Sequence, residues 1–103
     1  MVKMKDVRNL IPENIIKTLE NHKDEIHKHG VKKIGLFGSF LKKTAHKRSD
    51  MDFLVDFREP TFDNYMDLKF LLEKIFHKKV DLVTEASLKP ALRYVKKEAM
   101  YAK

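Results

Sequence analysis

Three short apolar segments, separated by stretches with helical periodicity, constrain the fold of this chain more than any other feature. Branched and aromatic residues dominate them, and the middle one alternates between apolar and acidic positions, which is typical of β-strands. The segments are residues 32–39 (KKIGLFGS), 51–57 (MDFLVDF) and 78–84 (KKVDLVT). Strands that alternate with helices indicate an α/β layer structure.

The remaining segments carry the signals of helices. Apolar residues recur at helical spacing over residues 12–29, where Pro12 suits the first turn and Gly30 suits the end. A second stripe follows the break at Pro60, with members Tyr65, Leu68, Leu71, Leu72, Ile75 and Phe76. We also predict a short helix over residues 40–46 that begins at Ser39, and a last helix capped by Ser87.

Length and composition limit the class of protein. A chain of 103 residues predicts one domain, spanning residues 1–103. The sequence contains no cysteine, which excludes disulfides and thiolate metal sites. Charged residues interrupt the first dozen positions, so we expect neither a signal peptide nor a membrane span, and we expect a cytoplasmic protein.

The net charge of +7 favours partners that carry phosphate, such as nucleotides or RNA, or an acidic protein surface. A lysine-rich exterior is also a common solubilising surface. Charge alone therefore leaves these alternatives open.

Two carboxylates, Asp50 and Asp52, stand one residue apart at the start of the middle strand. Residues i and i+2 of a strand point the same way, so we expect the two side chains to converge. At about 4 Å they would repel by roughly 4 kcal/mol in a partly buried site. Either a salt bridge to Arg48 or a nearby lysine, or a divalent cation, would offset that repulsion.

A third acid, Asp81, lies within the apolar segment at residues 78–84. It is either an edge-strand aspartate that faces water or a member of one site with Asp50 and Asp52. Three carboxylate oxygens that leave room for water and phosphate are a usual way to hold Mg²⁺. Gly38 and Ser39 add a turn in which backbone N–H groups can approach a phosphate closely.

This arrangement resembles the signature of the polymerase-β-type nucleotidyltransferase superfamily. Gly38-Ser39, ten intervening residues, Asp50-Met51-Asp52 and the later strand residue Asp81 carry the resemblance. The length and the tail VDLVTEASLKPALRYVKKEAMYA are similar, more narrowly, to the minimal nucleotidyltransferases, the MntA-like antitoxins that pair with HEPN-domain toxins.

The resemblance implies a specific activity and a nucleotidyltransferase fold, which is α/β (α+β) with a small mixed sheet of three to four strands and helices packed against it. The MntA-like members transfer AMP from ATP to a tyrosine hydroxyl of the HEPN partner and release pyrophosphate. Asp50, Asp52 and Asp81 would hold two Mg²⁺ ions, and Asp81 would help to deprotonate the acceptor hydroxyl. Nucleotide contacts would come from five further residues: Gly38, Ser39, Lys42, Arg48 and Ser49.

The chain departs from the family pattern after the Gly-Ser pair. Many members have Ala-Arg-Gly where this chain has Leu41, Lys42 and Lys43. Lysine keeps a positive charge but lacks the bidentate fork of arginine. The loss of glycine at Lys43 is expected to alter how the short helix ends.

Two other functions compete with the transferase. The first is an antitoxin that neutralises its partner by binding alone, and the second is a basic RNA-binding module. Direct nucleic-acid binding is disfavoured because no aromatic-rich strand interleaves the basic residues. The small size also predicts help from a partner or from a second copy in a homo-oligomer, contacted through apolar residues near the C-terminus: Tyr94, Met100 and Tyr101.

Overall fold

A computed structural model describes residues 10–103 and shows a four-stranded mixed sheet with helices packed on it. The helices are α1 (Pro12–Asn21), α2 (Lys23–Lys28), α3 (Phe62–Phe76) and α4 (Tyr94–Glu98). The strands are β1 (Val31–Phe37), β2 (Met51–Phe57), β3 (Val80–Thr84) and β4 (Met100–Tyr101). Two 3₁₀ turns, Glu85–Ser87 and Pro90–Leu92, join β3 to α4. The predicted α/β class and mixed sheet are confirmed.

The strands lie in the order β3-β2-β1-β4. β1 is antiparallel to both β2 and β4, whereas β2 and β3 are parallel. The parallel pair is possible because α3 forms the crossover between its two strands. Both β2 and β3 therefore begin at the same end of the sheet, so the acids near their starts lie close together.

One face of the sheet carries the main core. Phe53 of β2 lies between Leu36 of β1 and Leu82 of β3 in the strand register, and all three are buried. The ring of Phe76 from α3 packs on Phe53 with a centroid separation of 5.7 Å. Helices α1 and α2 add further buried residues to the same cluster, namely Ile15, Leu19 and Ile26.

The opposite face carries the acids and a smaller apolar layer. Asp52, Leu54 and Asp56 alternate with the core residues of β2, as the sequence pattern predicts. Leu54 is fully buried although it lies outside the main cluster. The chain after β3 runs back along β1, where Tyr101 of β4 pairs with Gly35. The second face is thus open near Asp52 and closed toward β4.

Several predicted elements differ from those observed. The helix expected over residues 12–29 is two helices, because the backbone leaves helical geometry at His22, whose Nδ1 lies 2.9 Å from the carbonyl oxygen of Thr18. Ser87 caps no helix; its hydroxyl donates to the carbonyl of Thr84, and the segment that follows is a 3₁₀ turn before the short α4. The charged N-terminal segment lies outside the described residues, apart from its end.

No helix within residues 10–103 is long and apolar enough to cross a bilayer.

Helix α3 is tied to β3 by Glu73, whose side chain is one-quarter exposed. One carboxylate oxygen accepts from the backbone N–H of Val80 and from the ammonium of Lys69, each at 3.0 Å. The Val80 hydrogen bond, more than the nearby Lys69 charge, lowers the pKa of Glu73 below its usual value of 4.5. Val80 immediately precedes Asp81, so this contact helps to fix the strand that carries the third acid.

We expect Glu73→Gln to destabilise the protein by about 1 kcal/mol at pH 7, because a charge-assisted hydrogen bond becomes a neutral one. A lowered pKa gives stability that is present above pH 4.5 and is lost as the pH falls through the folded-state value. Urea unfolding at several pH values measures the difference between variant and parent, which should shrink toward pH 3. A constant difference across that range would show that the ionised carboxylate contributes nothing.

Candidate functional site

The structure brings Asp52 and Asp81 directly opposite each other. The register of the parallel pair places them as partners on β2 and β3, so their carboxyl groups lie on the same face of the sheet, near enough for each charge to act on the other. Asp50 lies just before β2, near enough for its charge to act on Asp52. The three acids predicted from the sequence therefore lie at one edge of the sheet.

The structure bears on both interpretations of Asp81. Asp81 is exposed and lies on an edge strand, as the simpler alternative predicts. Its carboxyl nevertheless faces Asp52 across the ladder rather than standing alone. Water and a ligand can consequently reach the acids from the open side of β3.

Gly38 lies against the Asp52 carboxylate. The turn that contains it follows β1 directly, and its neighbour Phe37 pairs with Asp52 in the antiparallel ladder. Gly38 has a φ of 77°, and a Cβ at this position would overlap the Asp52 carboxyl oxygen. Only glycine allows this turn and this carboxylate to occupy adjacent positions. The predicted phosphate-binding turn thus adjoins the predicted metal ligands.

The local electrostatics raise the pKa of Asp52 to about 6. Burial contributes most, followed by the charge of Asp81, the charge of Asp50 and the hydrogen bond to Asp81. Near neutral pH the site thus carries several negative charges whose mutual repulsion is not offset. A bound cation would lower this repulsion.

Among residues 10–103, no basic side chain forms an ion pair that would offset this repulsion. The ion pairs among residues 10–103 join Lys33 and Lys96 to Glu85, and Lys69 to Glu73, so none involves the three acids. The salt bridge to Arg48 or a nearby lysine, one of the two alternatives from the sequence, is absent from this part of the chain.

The carboxylate oxygens of these acids are the kind of ligand that Mg²⁺ prefers, but they do not form a complete coordination sphere. In the part of the chain that the structure describes, no three acidic or histidine side chains form a cluster ready to hold a metal. Mg²⁺ usually takes only one or two protein carboxylates and completes its shell with water and substrate phosphates. The carboxylate oxygens of Asp52 and Asp81, which face each other and carry unneutralised negative charge, fit that requirement.

The segment after Gly38 forms one helical turn instead of the predicted helix over residues 40–46. Lys42 N–H donates to the carbonyl of Gly38 at 3.0 Å, and Thr44 N–H donates to that of Ser39 at 2.9 Å. The second bond spans a residue with left-handed backbone, Lys43, whose φ is 61°. This is the geometry of a helix C-terminus that favours glycine. It occurs at the position where many members of the family have glycine.

We therefore expect Lys43→Gly to stabilise the protein by roughly 0.5–1 kcal/mol. A left-handed residue with a side chain costs about 1–2 kcal/mol, and the greater freedom of glycine in the unfolded chain offsets part of the gain. Thermal unfolding followed by circular dichroism measures the change. Lys43→Ala removes the same charge but keeps the strain, so an equal rise in both variants would mean that charge, not backbone geometry, is responsible.

The loop before Asp50 carries two of the predicted nucleotide contacts. The Ser49 hydroxyl accepts from the His46 N–H at 2.9 Å, so it closes the loop on itself. Arg48 is exposed, and its backbone N–H donates to the ring of His46. Both side chains border an open cleft of about 370 Å³ whose lining is mostly basic: Lys47, Arg48, Ser49, Asp50, His77, Lys78 and Lys79. The cleft offers positive charge next to the acids.

Lys78 lies in the basic cleft, although the sequence did not predict it as a site residue. Its ammonium donates to the carbonyl of Lys47 at 2.8 Å and lies 5.8 Å from the ring centre of Phe40. It thereby joins the loop that carries Asp50 to the strand that carries Asp81. No sequence signal distinguishes Lys78 from its basic neighbours, because its role depends on a contact between residues far apart in the chain.

The apolar residues expected at a partner surface fall into two groups. Tyr94 and Met100 are 52% and 37% exposed, so both are available for contact. Tyr101 is half-buried, and its hydroxyl donates to Glu85 at 3.1 Å. Burial and the neighbouring Glu85 raise the pKa of Tyr101 to about 12. Tyr101 therefore holds β4 in place rather than forming a free surface.

Comparison with known proteins agrees with this geometry. The nucleotidyltransferase domain family matches residues 15–103. The protein adenylyltransferase MntA of Thermococcus cleftensis is 39% identical over 92 residues, which is 86% of this chain and 93% of that protein. A solved structure described provisionally as a minimal nucleotidyltransferase superposes with a TM-score of 0.68 at 34% identity, covering 82% of this chain and 93% of that one.

A further solved structure adds similarity of fold alone. It contains a tri-AMPylated HEPN toxin of Shewanella oneidensis in complex with an MNT antitoxin. The TM-score is 0.51 at 23% identity, over 75% of this chain and 61% of that one.

Proposed function

This chain belongs to the nucleotidyltransferase domain family, and from that premise we propose that it transfers AMP from ATP to a tyrosine hydroxyl of a HEPN-domain partner. The observation that carries the proposal is the position of Asp52, opposite Asp81 and directly against the Gly38 turn. Metal ligands and a phosphate-binding turn are the two parts that nucleotidyl transfer requires. A protein acceptor is suggested by the related protein adenylyltransferase MntA, and a HEPN partner by the complex with an AMPylated HEPN toxin. The choice of a tyrosine hydroxyl comes from the sequence resemblance to MntA-like antitoxins.

In the proposed reaction the acceptor oxygen attacks the α-phosphorus of ATP in line with the leaving group. A new O–P bond forms, the bond to the β-phosphate oxygen breaks, and pyrophosphate leaves. The acceptor proton passes to the Asp81 carboxylate. Two Mg²⁺ ions, held by Asp50, Asp52 and Asp81, would stabilise charge on the attacking and leaving oxygens when bound.

The other residues of this chain bind and orient the nucleotide. Backbone N–H groups of the turn at Gly38 and Ser39 face the β- and γ-phosphates, and the Lys42 ammonium adds a point charge nearby. Arg48 and its lysine neighbours in the basic cleft draw the polyphosphate toward Asp50. No protein nucleophile is needed, which agrees with a sequence that lacks cysteine.

We also propose that the protein is an antitoxin that acts in the cytoplasm. Modification of a tyrosine on the toxin would silence it, and the small domain would depend on that partner to complete the acceptor side of the site. Under this proposal the basic surface serves ATP and the partner rather than RNA.

One experiment tests the activity and both competing functions. The protein is incubated with Mg²⁺, the product of an adjacent HEPN-type gene and ATP labelled at either the α- or the γ-phosphate. We expect α-label on the partner, no γ-label, and loss of α-label with EDTA or in the Asp50→Asn/Asp52→Asn variant. Tight complex formation without label would support a binding antitoxin, and salt-sensitive RNA binding without label would support a nucleic-acid module.

A further inference from the structure

An apolar groove lies beside the acids on the second face of the sheet. It encloses about 290 Å³ between the ends of β1 and β3 and the C-terminal segment. Its lining comprises Phe37, Gly38, Lys42, Val83, Leu88, Leu92, Tyr94, Val95 and Glu98. Neither the three carboxylates nor the basic cleft belongs to this lining, so the groove is a separate compartment.

The strand register places the groove next to the acids. Phe37 pairs with Asp52, and Val83 follows Asp81 by two residues on the same face of β3. Gly38 belongs to the groove and also packs against the Asp52 carboxylate. A ligand that has its phosphates at the Gly38 turn therefore has the mouth of the groove directly beside it.

Charge separates the two compartments. The groove lining contains one cation, Lys42, and one anion, Glu98, among apolar side chains. The cleft near Asp50 contains four basic side chains that are charged at neutral pH and one acid. Polyphosphate is therefore drawn to the cleft and the turn, and the groove suits an uncharged, apolar part of the ligand.

The volume of the groove and the exposure of its side chains indicate which part of the ligand it binds. Typical ligand pockets measure about 300–1,000 Å³, so this groove accommodates a ring system rather than a whole nucleotide. Leu92 and Tyr94 are 43% and 52% exposed, which leaves a flat aromatic ring and an aliphatic side chain open to contact. An aromatic face of this kind stacks on a nucleobase.

We infer that the groove is the subsite for the nucleobase of the ATP substrate, with Tyr94 and Leu92 as its contact residues. This inference rests on the proposed function, because it places the phosphates of the same molecule at the Gly38 turn. The C-terminal segment then supplies the contacts to the base. The acceptor hydroxyl approaches from the open side of β3.

Binding without catalysis tests the inference. Dissociation constants for ATP and for inorganic tripolyphosphate, which has no base, are measured in Mg²⁺ without any partner. We expect Tyr94→Ala to weaken ATP binding about tenfold and to leave tripolyphosphate binding unchanged, since stacking contributes about 1–3 kcal/mol per base. Tyr94→Phe should retain binding. Leu92→Ala should weaken ATP selectively as well.

The control is Phe70→Ala, which removes an aromatic side chain 56% exposed on α3, on the other face of the sheet. It should alter neither constant. Because Leu92 and Tyr94 are exposed, circular dichroism is expected to show folded variants.

Other outcomes of these measurements distinguish the nucleobase subsite from the proposed transferase activity. Unchanged ATP binding together with a raised KM for the partner would show that the groove takes the acceptor, which overturns the inference. Equal binding of ATP and tripolyphosphate by the parent protein would also overturn it, while label transfer to the partner would still support the proposed activity. Base-dependent ATP binding through Tyr94, without label on any partner, would support the groove and contradict the acceptor assignment.

Discussion

Replacing Asp52 with asparagine is expected to abolish AMP transfer and to make the metal-free protein more stable. The pKa of Asp52 is raised to about 6 by burial and by two neighbouring carboxylates, so at pH 7.5 the group is ionised and its charge destabilises the folded state relative to the unfolded chain. Removing the charge should add about 1 kcal/mol of stability after solvent screening at a half-buried site is allowed for. For a chain of this length that corresponds to a rise of about 4–8 °C in Tm.

The loss of activity should be at least about a thousandfold, because a metal ligand supplies several kcal/mol of charge stabilisation to the transition state. Scanning calorimetry with EDTA and label transfer with Mg²⁺ measure the two effects. Asp56→Asn is the matched control, since it removes a carboxylate four residues along the same face of β2. A Tm that does not rise above that of Asp56→Asn would show that Asp52 carries no electrostatic cost.

Gly38→Ala should reduce AMP transfer by about a hundredfold or more and destabilise the protein by roughly 1–3 kcal/mol. A side chain at a φ of 77° is strained, and the new Cβ would occupy the place of the Asp52 carboxyl oxygen. The carboxylate must move, so the metal ligand and the phosphate turn are displaced together. Chemical unfolding and label transfer under conditions where the variant is folded measure the effects.

Gly30 offers a control with similar backbone geometry. Its φ is 76°, and an added Cβ would crowd Asn64 and the carbonyl of Glu59. Gly30→Ala should therefore cost comparable stability, while the folded protein keeps its activity. Equal losses of activity in both variants would attribute the effect of Gly38→Ala to general destabilisation rather than to displacement of Asp52.

The elements predictable from sequence are those with a strong local pattern. The alternation in MDFLVDF predicts β2 with the observed bounds, and it assigns the correct face to each residue. β1 begins one residue earlier than predicted, at Val31, and ends two residues earlier, at Phe37, because Gly38 belongs to the turn. β3 begins two residues later than predicted, at Val80, since lysines can precede a buried strand without a turn signal. The strand that contains Asp81 could be predicted, and its parallel pairing with β2 follows once a helix connects the two.

The remaining differences depend on contacts that a local pattern does not contain. β4 consists of two residues, and it exists because Tyr101 is held by Glu85 and pairs with Gly35. The break at His22 and the two 3₁₀ turns before α4 depend on competing local hydrogen bonds. The contact of Lys78 with Lys47 joins segments 31 residues apart.

The candidate site was predictable in its residue types but not in its arrangement. The spacing of these residues in the sequence predicts that Asp50, Asp52, Asp81 and the Gly38 turn lie close together. It could not show that Asp52 lies between Asp81 and Gly38, or that an apolar groove adjoins them. Those relations come from strand register and from the path of the C-terminal segment.

Under the proposed function, the three acids hold divalent metal beside the bound nucleotide. Mn²⁺, a paramagnetic substitute for Mg²⁺, can be counted by electron paramagnetic resonance in the presence of a non-hydrolysable ATP analogue. We predict two bound ions in the parent protein and in Asp56→Asn, and loss of at least one in each of Asp50→Asn, Asp52→Asn and Asp81→Asn. Retention of both ions in all three variants would contradict the account.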